Sequence, residues 1–111
     1  VMFLSEGSQV QDFKCKAKEH ALKERPRESC GVVVKGRYYP CQNIADEPEN
    51  HFIIETRDYV TARTNGKIEA IVHSHPKGGE ASAADKRAFL KTKIPWYIYL
   101  IPKDKWLIMT P

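Results

Sequence analysis

No apolar run in this sequence approaches the roughly 20 residues needed to cross a bilayer. The apolar opening Val1–Leu4 is too short for a signal-peptide core and has no basic segment before it. Cysteine is scarce. Cys15, Cys30 and Cys41 form an odd set with no Cys-x-x-Cys pair, which argues against a disulfide framework and a cysteine zinc site. Internal repeats, low-complexity tracts and linkers are absent too. The net charge is +4, but its basic clusters (Lys86–Arg87, Lys91–Lys93, Lys103–Lys105) alternate with acids and apolar residues. That is the pattern of a solvated face, so no nucleic-acid or membrane partner is expected. What remains is one domain, 1–111, able to bury roughly two-thirds of its extended surface. It is expected to be cytoplasmic or a piece of a larger protein.

What is present is patterned. Val10, Phe13, Ala17 and Ala21 recur at helical steps, predicting a helix from Ser8 to about Glu24 that ends before Pro26. Ser29–Lys35 (SCGVVVK) and Arg37–Gln42 read as a hairpin turning at Gly36. Asn43–Glu49 reads as loop and His51–Ile54 as a short extended piece. Thr56 is expected to cap a helix to about Thr64, with Tyr59, Val60 and Ala62 as its apolar positions. Lys67–His73 reads as a strand, with Ile68, Ala70 and Val72 on one side and Ile71 and His73 on the other. A helix is expected from Ser82 to about Thr92, then strands at Pro95–Ile101 and Lys105–Thr110. Trp96, Trp106 and the Cys30 thiol are expected in the core, His20 on a solvated helix face and His51 in a loop. This order predicts an α/β (α+β) sandwich, a mixed sheet packed against helices.

The chemistry concentrates at His73-Ser74-His75-Pro76. Residues two apart on a strand point the same way, so His73 and His75 stand side by side and can share one metal ion. Pro76 ends the strand and the Gly78-Gly79 pair folds the chain back. Asp85 then arrives on the first turn of the next helix. Two histidines and an aspartate leave a zinc position open, the mark of a catalytic site. Glu28, at the start of an earlier strand, is a carboxylate placed to accept a proton from water and pass it to a leaving amine. Taken singly, Ser82-x-x-Asp85 is also a capping box, Glu28 a surface residue and the histidines a polar strand end. The combination outweighs these readings, and a cap and a ligand can coexist in Asp85.

An upstream Glu, His-Ser-His-Pro and Ser-x-x-Asp together resemble the JAB/MPN/Mov34 (JAMM) metallopeptidase family. Within it, Pro26–Gly31, Gly36–Asn43, Ile71–Asp85 and Pro95–Tyr97 are most similar to the phage-tail branch, the N-terminal domains of lambda-type tail assembly proteins K. The likeness covers roughly His20 to Pro111. It implies a JAMM-type, cytidine-deaminase-like sandwich, one zinc ion held by His73, His75 and Asp85, and proton transfer by Glu28. Ser82 would donate to the developing oxyanion, worth about 3 kcal/mol. Hydrolysis of a peptide or isopeptide amide follows, with phage tail proteins as partners, in the host cytoplasm or on the virion. One departure stands out: six residues, Pro76–Ala81, separate His75 from Ser82 where the family has seven. That leaves the placement of Ser82 open. The alternative function is a catalytically idle assembly or binding module. A third reading makes Cys30 a nucleophile, which its strand setting disfavours.

Overall fold

Two strands with no exposed position hold the centre of the molecule. The structure is a computed structural model that describes residues 8–111. In chain order it contains α1 (Ser8–Glu24), β1 (Cys30–Val34), β2 (Arg37–Cys41), α2 (Thr56–Arg63) and β3 (Ala70–His75). Then follow α3 (Ala83–Thr92), β4 (Trp96–Leu100), a 3-10 turn (Ile101–Lys103) and β5 (Lys105–Met109). Every residue of β1 and β3 is buried, as expected of strands covered on both faces. The sheet order is β2-β1-β3-β4-β5. Only the β3–β4 pair is parallel; such a pair needs a crossover, and α3 provides it.

Alternation along the central strands divides the core in two. Val33, Ala70 and Val72 pack with Phe13 and Ala17 of α1. Cys30, Val32, Val34 and Ile71 face the other way, toward Ala62 of α2, with Phe89 of α3 packed against the same cluster. The predicted sandwich of helices around a mixed sheet is therefore what the chain forms, and all its elements arise in the expected order.

The differences are local. Strand β3 begins at Ala70, not Lys67, because the ladder to β1 ends at the Val33–Ala70 pair. Upstream of that pair, two-residue alternation is no longer imposed, and Ile68 joins the cluster of Ile71 instead of the opposite face. The cap of α2 is Glu55, whose carboxylate accepts from the Asp58 N–H, and Thr56 is the first helical residue. Of its three apolar positions only Ala62 is buried; Tyr59 and Val60 are exposed. His51–Ile54 pairs only through an Ile54–Asn43 bridge. Trp106, on the edge strand β5, is half-buried against Tyr97 and Tyr99, unlike the fully buried Trp96. His20 is not simply solvated: its Nδ1 lies 2.6 Å from the Tyr38 hydroxyl.

That tyrosine also lies across β1. Its hydroxyl donates to the Cys30 carbonyl (3.2 Å), and a Cβ built on Gly31 would stand 2.4 Å from its ring. The ring cannot swing aside without losing both Cys30 and His20. Gly31→Ala is therefore expected to destabilise the fold by about 1–3 kcal/mol, the usual cost of overpacking. A urea denaturation midpoint unchanged from wild type would contradict this.

Candidate metal centre

The site is assembled at the C-terminal end of β3. Ser74 points away from its histidine neighbours and is fully buried. Its Oγ accepts from the Ser29 N–H (2.8 Å) and the Ser29 hydroxyl (3.0 Å), and its own N–H donates to the Ser29 carbonyl (3.1 Å). This lock fixes the start of β1 beside the end of β3. Glu28, one residue earlier, is thereby carried to the histidines. From the other side, Gly78 and Gly79 take positive φ (77° and 89°), which glycine alone adopts without strain, and bring α3 back over the strand. Ser82 and Asp85 then form a reciprocal capping box: the Asp85 N–H donates to Ser82 Oγ and the Ser82 N–H to Asp85 Oδ2, both at 3.0 Å.

All five residues singled out in the sequence meet here. His73 Nε2 lies 3.3 Å from Asp85 Oδ1, and His75 Nε2 lies 3.1 Å from Asp85 Oδ2. On its other edge His73 Nδ1 stands 3.4 Å from Glu28 Oε1. Glu28, His73, His75 and Asp85 are each buried, whereas Ser82 is exposed and joins the group through its contacts with Asp85. Ligand atoms of Glu28, His73 and His75 all fall within 4.8 Å of one another.

This donor set fits a metal ion. Both ring nitrogens of His73 are buried and make no well-formed hydrogen bond despite their carboxylate neighbours. Leaving such groups unpaired is costly. A tetrahedral zinc with bonds of about 2.0–2.1 Å keeps its ligand atoms about 3.3–3.4 Å apart, close to the separations of Asp85 from the two imidazoles. Cys30, by contrast, is fully buried, and burial pushes its thiol pKa up. An activated nucleophile needs the reverse.

The same contacts set the charge of the candidate donors. Burial opposes ionisation of Asp85, but the two imidazoles and the Ser82 N–H outweigh it and hold the carboxyl well below its ordinary range. Burial likewise disfavours charge on His73, yet Asp85 and Glu28 prevail and raise its pKa above the ordinary 6.5. A metal must displace that proton. Affinity for a metal ion at these imidazoles is therefore expected to fall as the medium is acidified, with the decline beginning above pH 6.5. Competition with a chelator between pH 6 and 8 measures it; a flat affinity over that range would contradict the assignment.

Two contributors were not visible in the sequence. Phe52, read only as part of an extended piece, stacks on His73 with ring centroids 4.2 Å apart, while Trp96 meets the same imidazole edge-on at 5.6 Å. Asn43, read as loop, is 4% exposed and ties together the backbone around Glu28. Its amide donates to the carbonyls of Glu28 (2.9 Å), His51 (2.9 Å) and Pro48 (3.3 Å), and its Oδ1 accepts from the N–H groups of Ala45 (3.0 Å) and Ile53 (3.1 Å). In the sequence it stands only as the end of the Gly36–Asn43 stretch that resembles the phage-tail branch, with no role legible for it.

The family described as prokaryotic homologs of the JAB domain matches residues 16–108. The chain belongs to that family. This JAB domain is 43% identical over 97 residues to the tail tip assembly protein K of Escherichia phage N15. The match takes in 83% of this chain and 40% of that protein, so the domain spans less than half the length of its curated relative. It also resembles the solution structure of a protein from Desulfitobacterium hafniense, with a TM-score of 0.68 and 28% identity over 86% of this chain and 76% of the other. Among the described residues, no helix of the JAB domain is long and apolar enough to cross a membrane.

Proposed function

We propose that this domain is a zinc-dependent peptidase or isopeptidase, with His73, His75 and Asp85 holding one zinc ion and Glu28 acting as the general base. The observation that carries the reading is the convergence of four buried titratable groups, Glu28 from the segment just before β1, His73 and His75 from β3 and Asp85 from α3, with both nitrogens of His73 left without a good hydrogen bond. Zinc, when bound, supplies a Lewis acid that polarises an amide carbonyl and makes water more acidic.

The chain's own groups divide the remaining work. Asp85 is taken as the third ligand because it lies 3.1–3.3 Å from both imidazoles, whereas Glu28, although within 4.8 Å of ligand atoms on both histidines, makes its close approach of 3.4 Å at the Nδ1 edge of His73. Glu28 therefore keeps an oxygen free to take the proton of an attacking water and return it to the departing nitrogen. The Ser82 hydroxyl accepts from the Asp85 N–H and retains its own proton for the carbonyl oxygen of the substrate. Phe52 and Trp96 hold the His73 ring and keep water from that side. Similarity to a tail tip assembly protein supports phage tail proteins as substrates or partners, in the host cytoplasm or on the virion.

The test is metal analysis of protein purified without chelator, paired with peptide hydrolysis. One zinc per chain is expected, with activity lost on chelation and regained when zinc is returned. Protein free of metal defeats the reading. Zinc retained without any turnover would leave an assembly or binding module.

A further inference from the structure

Two concavities of unlike character meet at the metal centre. One is a cleft of about 210 Å³ beside the glycine loop, lined by Gly78, Gly79 and the polar residues Glu49, Lys77 and Glu80. The other is a groove of about 500 Å³ with Phe52, Ile53, Ile71, Ala88 and Trp96 among its walls. Glu28, Asn50 and Ser82 line both. The centre thus stands at their junction, not at the closed end of either. An extended chain laid across Glu28 and Ser82 has one flank in a polar channel and the other in an apolar one.

The apolar groove is built into the sequence. Helix α3 offers it Ala84 and Ala88, one turn apart, where larger side chains would fill the space. Its size, and an apolar wall that meets the polar groups of the metal centre, are those of a ligand site. Yet its wall is still open to solvent, with Ile53 56% exposed.

We infer that this groove is the specificity site of the enzyme and takes a bulky apolar side chain, of the leucine or phenylalanine class, on the substrate residue bordering the scissile amide. This assignment rests on the peptidase reading above and narrows it. A diglycine tail would put no side chain in the groove and leave its walls wet. An acidic side chain would meet the carboxylates of Glu28 and Asp85, so charge disfavours it, and the apolar walls disfavour burying any charged group.

The zinc-loaded Glu28→Gln protein separates binding from turnover. Titrating it with capped glycine-leucine-glycine and with capped triglycine, while following the two indole N–H resonances, reads occupancy directly. The leucine peptide is expected to shift Trp96 and not Trp106, and to bind about tenfold or more tightly than triglycine. Ile53→Asp and Ala84→Phe, both at exposed positions, are expected to erase most of that preference. Leu90→Asp, at an exposed apolar residue outside the groove, should leave it intact. Retained zinc and an unchanged melting temperature certify each variant. Equal binding of the two peptides, or a preference that survives both groove substitutions, overturns the inference. So does a Trp96 shift that depends on protein concentration alone, which would put a second copy in the groove. Leucine preference in binding without cleavage by the wild-type chain removes the peptidase reading and keeps the groove as a binding site. Cleavage with no apolar preference does the opposite.

Discussion

Replacing Glu28 by glutamine is expected to cut peptide turnover by about a hundredfold to ten-thousandfold, the range for a lost general base, with zinc content unchanged. Glutamine matches the size of glutamate and keeps an Oε1 that can accept from the adjacent His73 Nδ1, so the imidazole stays oriented. The backbone of Glu28 is held independently, its N–H by the Pro48 carbonyl (2.7 Å) and its own carbonyl by Asn43 (2.9 Å). What the substitution removes is the basic oxygen alone. The same variant tells a base from a ligand, because Glu28 lies near enough to both histidines to serve as a third donor in place of Asp85. If Glu28 bound the metal in place of Asp85, the glutamine variant would lose zinc along with activity. Turnover within about fivefold of wild type, at full zinc loading, would end the case for Glu28 as base. Single-turnover rates and metal stoichiometry on one preparation decide it.

How much of this was legible in the sequence depended on how local each cause is. The side-by-side pose of His73 and His75 needs only the two-residue period of a strand, and the structure shows both imidazoles over one carboxylate. Ser82 and Asp85 likewise answer to one helix start, and the capping box expected there is present. Glu28 was different. Nothing within a few residues of it says where it points; its position follows from the bond between Ser29 and Ser74, 45 residues apart, and only the family motif made it readable. Helix α2 shows the opposite failure. Tyr59, Val60 and Ala62 were legible as its apolar positions, but spacing does not say which of them is buried: only Ala62 is, and Tyr59 instead borders the groove. Patterns resolve which way a residue faces along its own element. They do not resolve which loops that element will meet.

Asn43 is the sharpest case of a cause hidden from pattern, and its loss is expected to be the most damaging to the fold. Asn43→Ala should cost roughly 3–5 kcal/mol. The two amide hydrogens serve carbonyls at residues 28, 48 and 51, and the amide oxygen serves two N–H groups at residues 45 and 53. An alanine leaves the Glu28 carbonyl buried and unmet, and four part-buried groups that reach water only in part; a buried group left unmet costs about 1–3 kcal/mol and a part-buried one less. Relief comes at Pro48, whose carbonyl also accepts from the Glu28 N–H, so the sum falls short of five full penalties. Thermal or urea denaturation reads the loss. A second consequence separates Asn43 from an ordinary buried amide. The segments it joins carry the proposed base, the ring stacked on His73 and the exposed wall of the groove, at Glu28, Phe52 and Ile53. At temperatures where Asn43→Ala is still folded, turnover should drop while zinc remains bound, because the ligands on β3 and α3 do not pass through this amide. A variant that loses stability but keeps full turnover while folded would show that the amide supports the loop and not the base. Asn43→Asp sharpens the contrast: it preserves the acceptor for the N–H groups of Ala45 and Ile53 but turns a charged oxygen toward the carbonyls of Glu28 and His51. It is expected to be no better than alanine at neutral pH, since repulsion at that edge displaces the backbone of Glu28 itself.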